Sequence, residues 1–198
     1  MSTRGLNKFE KNVVDALNLI FQNGGKTLIE ELLNKQIIKY HIIPAGDDRE
    51  GIGGYIKERD LESQDVMVYI YTNNGTETMT LSIAHELMHC FQNQMGQGGR
   101  SIHNEVEAFI FQNIMAFNLM EATDNWNYQP EYNGKDGIIG YIYSKIMGNI
   151  TSNGSNIIKF VIALFTFRYG ASINNGVYDN YPLSNDGSNK YLLDLILK

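Results

Sequence analysis

The chain has 198 residues, a length that suits one domain with its own buried core and argues against two. Hydrophobic residues make up 43% and charged residues 19%, a globular composition rather than a disordered one. The net charge of −6, with no basic block anywhere along the chain, removes the electrostatic footprint of a nucleic-acid binder.

Met1 to Phe21 carries Asn7, Lys8 and Glu10 where a secretory leader would have an uninterrupted apolar stretch, so the chain as written reads as cytoplasmic. An exported form whose leader has been removed is the alternative. The same segment repeats Phe9, Val13, Leu17 and Ile20 at helical spacing and predicts an amphipathic helix over 6–22, ending before Asn23-Gly24-Gly25. A second short helix is expected from Thr27 to Lys35. Ile37 to Ile43 is β-branched and closed by Pro44, which predicts a strand. A turn-rich segment from Ala45 to Gly54 leads to a weaker strand at Tyr55-Ile56-Lys57. Val66 to Tyr71 is the clearest strand of the chain, and Asn73-Asn74-Gly75 is a turn.

The pattern then becomes helical. Thr80 to Met95 predicts a helix with Thr80 or Ser82 as its N-cap. Leu81, His85, Met88, His89 and Gln92 share one side of it. Ile83, Leu87, Cys90, Phe91 and Gln94 lie towards the other. Cys90, the single cysteine, has no partner for an internal disulfide and reads as core. Gly96 to Gly99 breaks the helix, and a new one is expected from His103 or Asn104 to about Met120. Residues 122–137 read as loop. Further helices are expected at 137–148, 155–169 and 190–197, separated by turn-rich segments. The longest apolar run, 157–167, contains Lys159 and is too short to span a bilayer.

Chemistry concentrates at His85-Glu86-Leu87-Met88-His89, the pattern H-E-x-x-H. On a helix the four-residue offset stacks both imidazoles on one face, where they can hold one metal ion with Glu86 beside it. A catalytic zinc site takes three protein ligands and keeps a fourth position for water, so a third ligand is required. Zinc brings the pKa of a water it holds towards neutrality and polarises a substrate carbonyl. Glu86 is then placed to take the water proton and deliver it to the leaving amine.

These residues resemble the zincin metallopeptidases, and within them the gluzincin branch, where a glutamate on the following helix completes the metal site. Glu105-Val106-Glu107-Ala108 matches the E-x-x-A pattern of that helix. The resemblance implies Glu105 as third ligand. Glu107 is the alternative, because small ImmA/IrrE-like regulatory peptidases show a similar E-x-E-A stretch. Two helical positions differ by about 200°, so the two glutamates cannot both face one ion. Phe109 stands where gluzincins often carry an Asp or Asn that orients a ligand histidine. The metzincin continuation needs Gly and His three and six positions after the second motif histidine, and Gln92 and Met95 stand there instead. His103 and His41 offer ligands by residue type alone.

The resemblance covers about 66–120 and implies an α+β, zincin-like fold in one domain, 1–198. Two N-terminal helices (1–36) precede a small mixed sheet with the active-site helix (37–95), and a helical C-terminal part (96–198) closes the cleft. It also implies that Val66 to Tyr71 lies at the sheet edge and pairs with an extended substrate, although a buried strand fits the residues as well. Tyr128, Tyr132, Tyr141 and Tyr143 are candidates for the donor that stabilises the oxyanion. The expected function is peptide-bond hydrolysis with one zinc ion. The alternatives are a catalytically silent zincin-like module that binds a protein or peptide, and a narrow-specificity regulatory or effector protease.

Overall fold

A computed structural model describes residues 5–35, 39–45, 54–56, 65–71, 76–97, 99–122 and 181–182. The helices expected at 137–148, 155–169 and 190–197 lie outside the described residues. So do Tyr128, Tyr132, Tyr141 and Tyr143.

The first helix, α1 (Lys8–Ile20), begins at Asn7, whose side chain accepts from the Glu10 N–H while the Glu10 carboxylate accepts from the Asn7 N–H. This reciprocal pair satisfies two amides that the helix start leaves open. A π-helical turn, Phe21–Gly25, bends the chain into α2 (Lys26–Lys35). The turn is held by Asn118, whose amide donates to the Asn23 carbonyl at 2.6 Å.

The sheet contains β1 (Lys39–Pro44), β2 (Gly54–Ile56) and β3 (Asp65–Ile70) in the order β1-β3-β2. β1 runs parallel to β3 and β2 antiparallel to it. Pro44 continues β1 to its end, which its missing N–H permits because β1 pairs along one side only among the described residues. β3 is therefore the central strand, so of the two readings of Val66 to Tyr71 the sheet edge is overturned and the buried strand is the one found. The reason is local: both of its sides already carry a hydrogen-bonded neighbour. On β3, Val66, Val68 and Ile70 are buried while Met67 is exposed, the period-two alternation of a strand covered on one face.

The next helix, α3 (Thr76–Gln94), packs on that sheet and against α1, α2 and the long helix that follows, α4 (Ile102–Ala122). It begins a turn earlier than expected. Thr80 and Ser82 lie inside it, and their hydroxyls donate back to the carbonyls of Thr76 and Thr78 at 2.8 Å each. It ends at Gly96, whose φ of +79° suits glycine. The Gly96 N–H donates to Asn93 and the Gln97 N–H to Gln92, the paired bonds of a Schellman turn. Ser101 caps α4 by accepting from the Asn104 N–H at 3.1 Å, so this helix also starts slightly earlier than expected. The Ile102 N–H donates to the Pro182 carbonyl, which brings Tyr181 and Pro182 to the start of α4.

The fold is thus mixed helix and strand, α+β, with α3 at its centre. Apolar residues of α1, α2, β3, α3 and α4 join one core around it. No helix among the described residues is long and apolar enough to cross a membrane.

Candidate metal centre

Because α3 packs against α1, α2, α4 and the sheet, its middle is buried on most sides rather than along one stripe. Between Met79 and Gln92 only His85 and His89 escape burial, with side-chain exposures of 12% and 19%. Among the described residues, the middle of α3 is thus open only at the two motif histidines. Their rings meet edge to face with centroids 4.8 Å apart, and the two Nε2 atoms stand 3.1 Å from each other.

α4 supplies the third donor. Glu105 Oε2 lies 3.5 Å from His85 Nε2 and 3.7 Å from His89 Nε2. Donors held tetrahedrally at about 2.0–2.1 Å from one ion stand about 3.3–3.4 Å apart, and the edges of this triangle, 3.1, 3.5 and 3.7 Å, bracket that spacing. Two imidazoles and one carboxylate are also a donor set that zinc accepts. The group fits a metal ion both in geometry and in chemistry.

Glu107 does not join the group. Its side chain is 1% exposed and turns into the α3–α4 interface, where it accepts from Gln92 Nε2 at 2.9 Å and Gln97 Nε2 at 3.4 Å. His103 Nε2 stands 3.6 Å from its other oxygen, so His103 belongs to this network rather than to the three donors. His41 is exposed on β1 and likewise lies outside the group. Phe109 sits edge-on to the His85 ring, with centroids 4.5 Å apart, and supports that histidine by packing where a polar residue would have hydrogen-bonded.

The charges respond to this crowding. Burial pushes the His89 imidazole down, but the Glu105 carboxylate beside it, helped by Glu86 and Gln92, outweighs this and raises it to about 9. Burial raises Glu105 while His89 and His85 lower it more, so its carboxyl is held well below the usual carboxylate range. Glu86, 5% exposed, is raised, because burial exceeds the pull of His85 and His89 and Glu105 adds to it. β2 approaches Glu86 closely enough that a Cβ on Gly54 would stand 3.0 Å from Glu86 Cγ. The Cys90 thiol is pushed well up, first by burial and then by Glu86.

Two residues near the group were not singled out for these roles by their place in the sequence. Gln92 shares the histidine side of α3, and its Oε1 lies 2.8 Å from His89 Nδ1. The spacing of three was a signal for this contact, since residues three apart are neighbours on a helix. Tyr181 lies within electrostatic reach of Glu105, Arg100 and Glu86, and its phenol is raised, first by burial and then by Glu105. Nothing in the sequence pattern singles it out among twelve tyrosines.

The chain matches no protein-family model, no curated protein and no solved structure, so its own geometry carries the functional argument.

Proposed function

We propose that this chain is a zinc-dependent peptidase of the zincin type, gluzincin branch, with His85, His89 and Glu105 as the ligands and Glu86 as the general base. The observation that carries this reading is the triangle of His85 Nε2, His89 Nε2 and Glu105 Oε2, whose edges suit one tetrahedral ion at a part-exposed place on α3.

Zinc, when bound there, supplies a Lewis acid for a peptide carbonyl and brings the pKa of a water towards neutrality. The protein supplies the proton path. Glu86 lies next to His85 in the chain, and its raised carboxyl is suited to taking a proton from the attacking water and returning it to the departing amine. Phe109 packs on the ring of His85 and limits its rotation. Tyr181, whose phenol stays protonated, is the donor for the carbonyl oxygen as it gains charge. An extended substrate adds along β2, which pairs with β3 on one side only among the described residues and lies beside Glu86.

The test measures bound zinc and peptide cleavage together. One zinc per chain is expected in the wild type and in Glu86→Gln, and none in His85→Ala or Glu105→Ala. Cleavage in Glu86→Gln should fall about 10²–10⁴-fold. A wild type that takes up no zinc refutes the metal reading. Zinc uptake with no cleavage of a broad peptide library, by wild type or Glu86→Gln alike, would favour a silent binding module. Tyr181→Phe should keep its zinc and lose activity mainly in kcat; an unchanged kcat removes the tyrosine from the mechanism.

A further inference from the structure

The His89 ring has two nitrogens, and only Nε2 faces the three-donor group. Nδ1 points the other way and lies 2.8 Å from Gln92 Oε1. Which nitrogen carries hydrogen follows from what holds Gln92. Its Nε2 lies 3.0 Å from the Asn104 backbone carbonyl and 2.9 Å from Glu107 Oε2. A peptide carbonyl can only accept, so the NH₂ end of the Gln92 amide must point at Asn104. Turning the amide over would set its oxygen against that carbonyl and against a carboxylate. The oxygen is therefore left for His89, and an oxygen acceptor requires a hydrogen on Nδ1. In a neutral ring this leaves the Nε2 lone pair directed at His85 and Glu105.

From this geometry we infer that Gln92 is a positioning residue for the metal, holding His89 in the Nδ1–H tautomer and fixing its ring, with Glu107 as the anchor. The inference rests on the metal reading proposed above. The anchor is rigid because Gln92 and Glu107 are each 1% exposed. The Schellman turn after α3 folds Gln97 back so that its amide also donates to Glu107 and to Asn104 Oδ1. Asn104 in turn donates to the carbonyls of Gln97 and Gly99 at 2.8 Å each. A hydrogen-bonded chain thus runs from the α3–α4 interior to one metal ligand. His85 differs: its Nδ1 is buried with no hydrogen-bond partner among the described residues, and Phe109 holds its ring by packing. The two histidines therefore provide an internal control.

Gln92→Met keeps the length of the side chain and deletes both ends of the amide. The experiment records nitrogen-15 ring spectra of His85 and His89 in metal-free and zinc-loaded protein. Zinc affinity is measured by competition with a chromophoric chelator. In the wild type His89 should show a hydrogen-bonded Nδ1 proton shielded from solvent exchange. In Gln92→Met that protection should vanish, the His85 ring signals should hold, and zinc affinity should fall about 10–100-fold. Glu107→Gln keeps an acceptor for Gln92, so it should retain the Nδ1 proton and lose less affinity; it serves as the second variant if Gln92→Met does not fold.

The inference is overturned if zinc binds equally tightly to wild type and Gln92→Met, or if the His85 and His89 signals shift together as general damage would make them. It also fails if wild-type His89 carries no protected Nδ1 proton, which is read without any variant. A wild type that takes up no zinc removes the metal reading and this inference with it, whereas equal zinc uptake removes this inference alone.

Discussion

His89 and Glu105 tie the stability of the metal-free chain to pH. The His89 imidazole has an ordinary value of 6.5 and is raised to about 9 in the folded protein. The folded state then holds a proton that the unfolded state has lost across that window. Its contribution is fully present below about 6.5 and disappears as pH rises through about 9. Glu105 has the opposite sign: lowered from 4.5, it contributes above that value and loses the contribution as pH falls. Glu86, being raised, works against stability above its ordinary value. With chelator present, the midpoint of thermal unfolding should drop between pH 6.5 and 9, and the drop should shrink in His89→Gln. On the proposed metal reading, zinc held by His89 would take the place of that proton, so the loaded protein should lose this dependence.

Between elements, the close approach of β2 to α3 decides how Glu86 is held. A Cβ at Gly54 would stand 2.9 Å from the Tyr69 carbonyl oxygen and from Ile70 Cδ1, and 3.0 Å from Glu86 Cγ. The first of these is backbone in the paired strand and cannot swing aside. Gly54→Ala should therefore destabilise the protein by about 1–3 kcal/mol and displace Glu86, the proposed base. Cleavage should fall while zinc stoichiometry stays at the wild-type value, since the three donors lie on α3 and α4. Thermal denaturation, kinetics and metal analysis on the same preparation check all three. Unchanged stability would mean that β2 can shift away from α3.

At the scale of the whole molecule, an ion held as proposed by His85, His89 and Glu105 would join α3 to α4, so its binding energy would add to folding. An ion at 100 times its Kd stabilises the native state by about 2.7 kcal/mol. Saturating zinc should raise the unfolding midpoint of the wild type, and chelation should reverse this. His85→Ala should show neither effect.

The sequence by itself determined what one helix can decide. The four-residue offset of His85 and His89 places both rings on one face through helical geometry alone, and Gln92 follows at three residues for the same reason. Among the described residues the strands and the four α-helices were also legible to within a few residues, because period-two and helical spacing are local signals. What only the tertiary structure decided depends on how separate elements meet. Which of Glu105 and Glu107 stands beside the two histidines is set by the rotation of α4 about its own axis, fixed as Ile102, Ala108, Phe111 and Met115 enter the core. Residues within α4 look equivalent until that packing turns Glu105 to the histidines and Glu107 to Gln92. The central place of β3 is likewise a matter of pairing: an apolar strand reads the same at an edge or in the middle, and only its two hydrogen-bonded neighbours settle which it is.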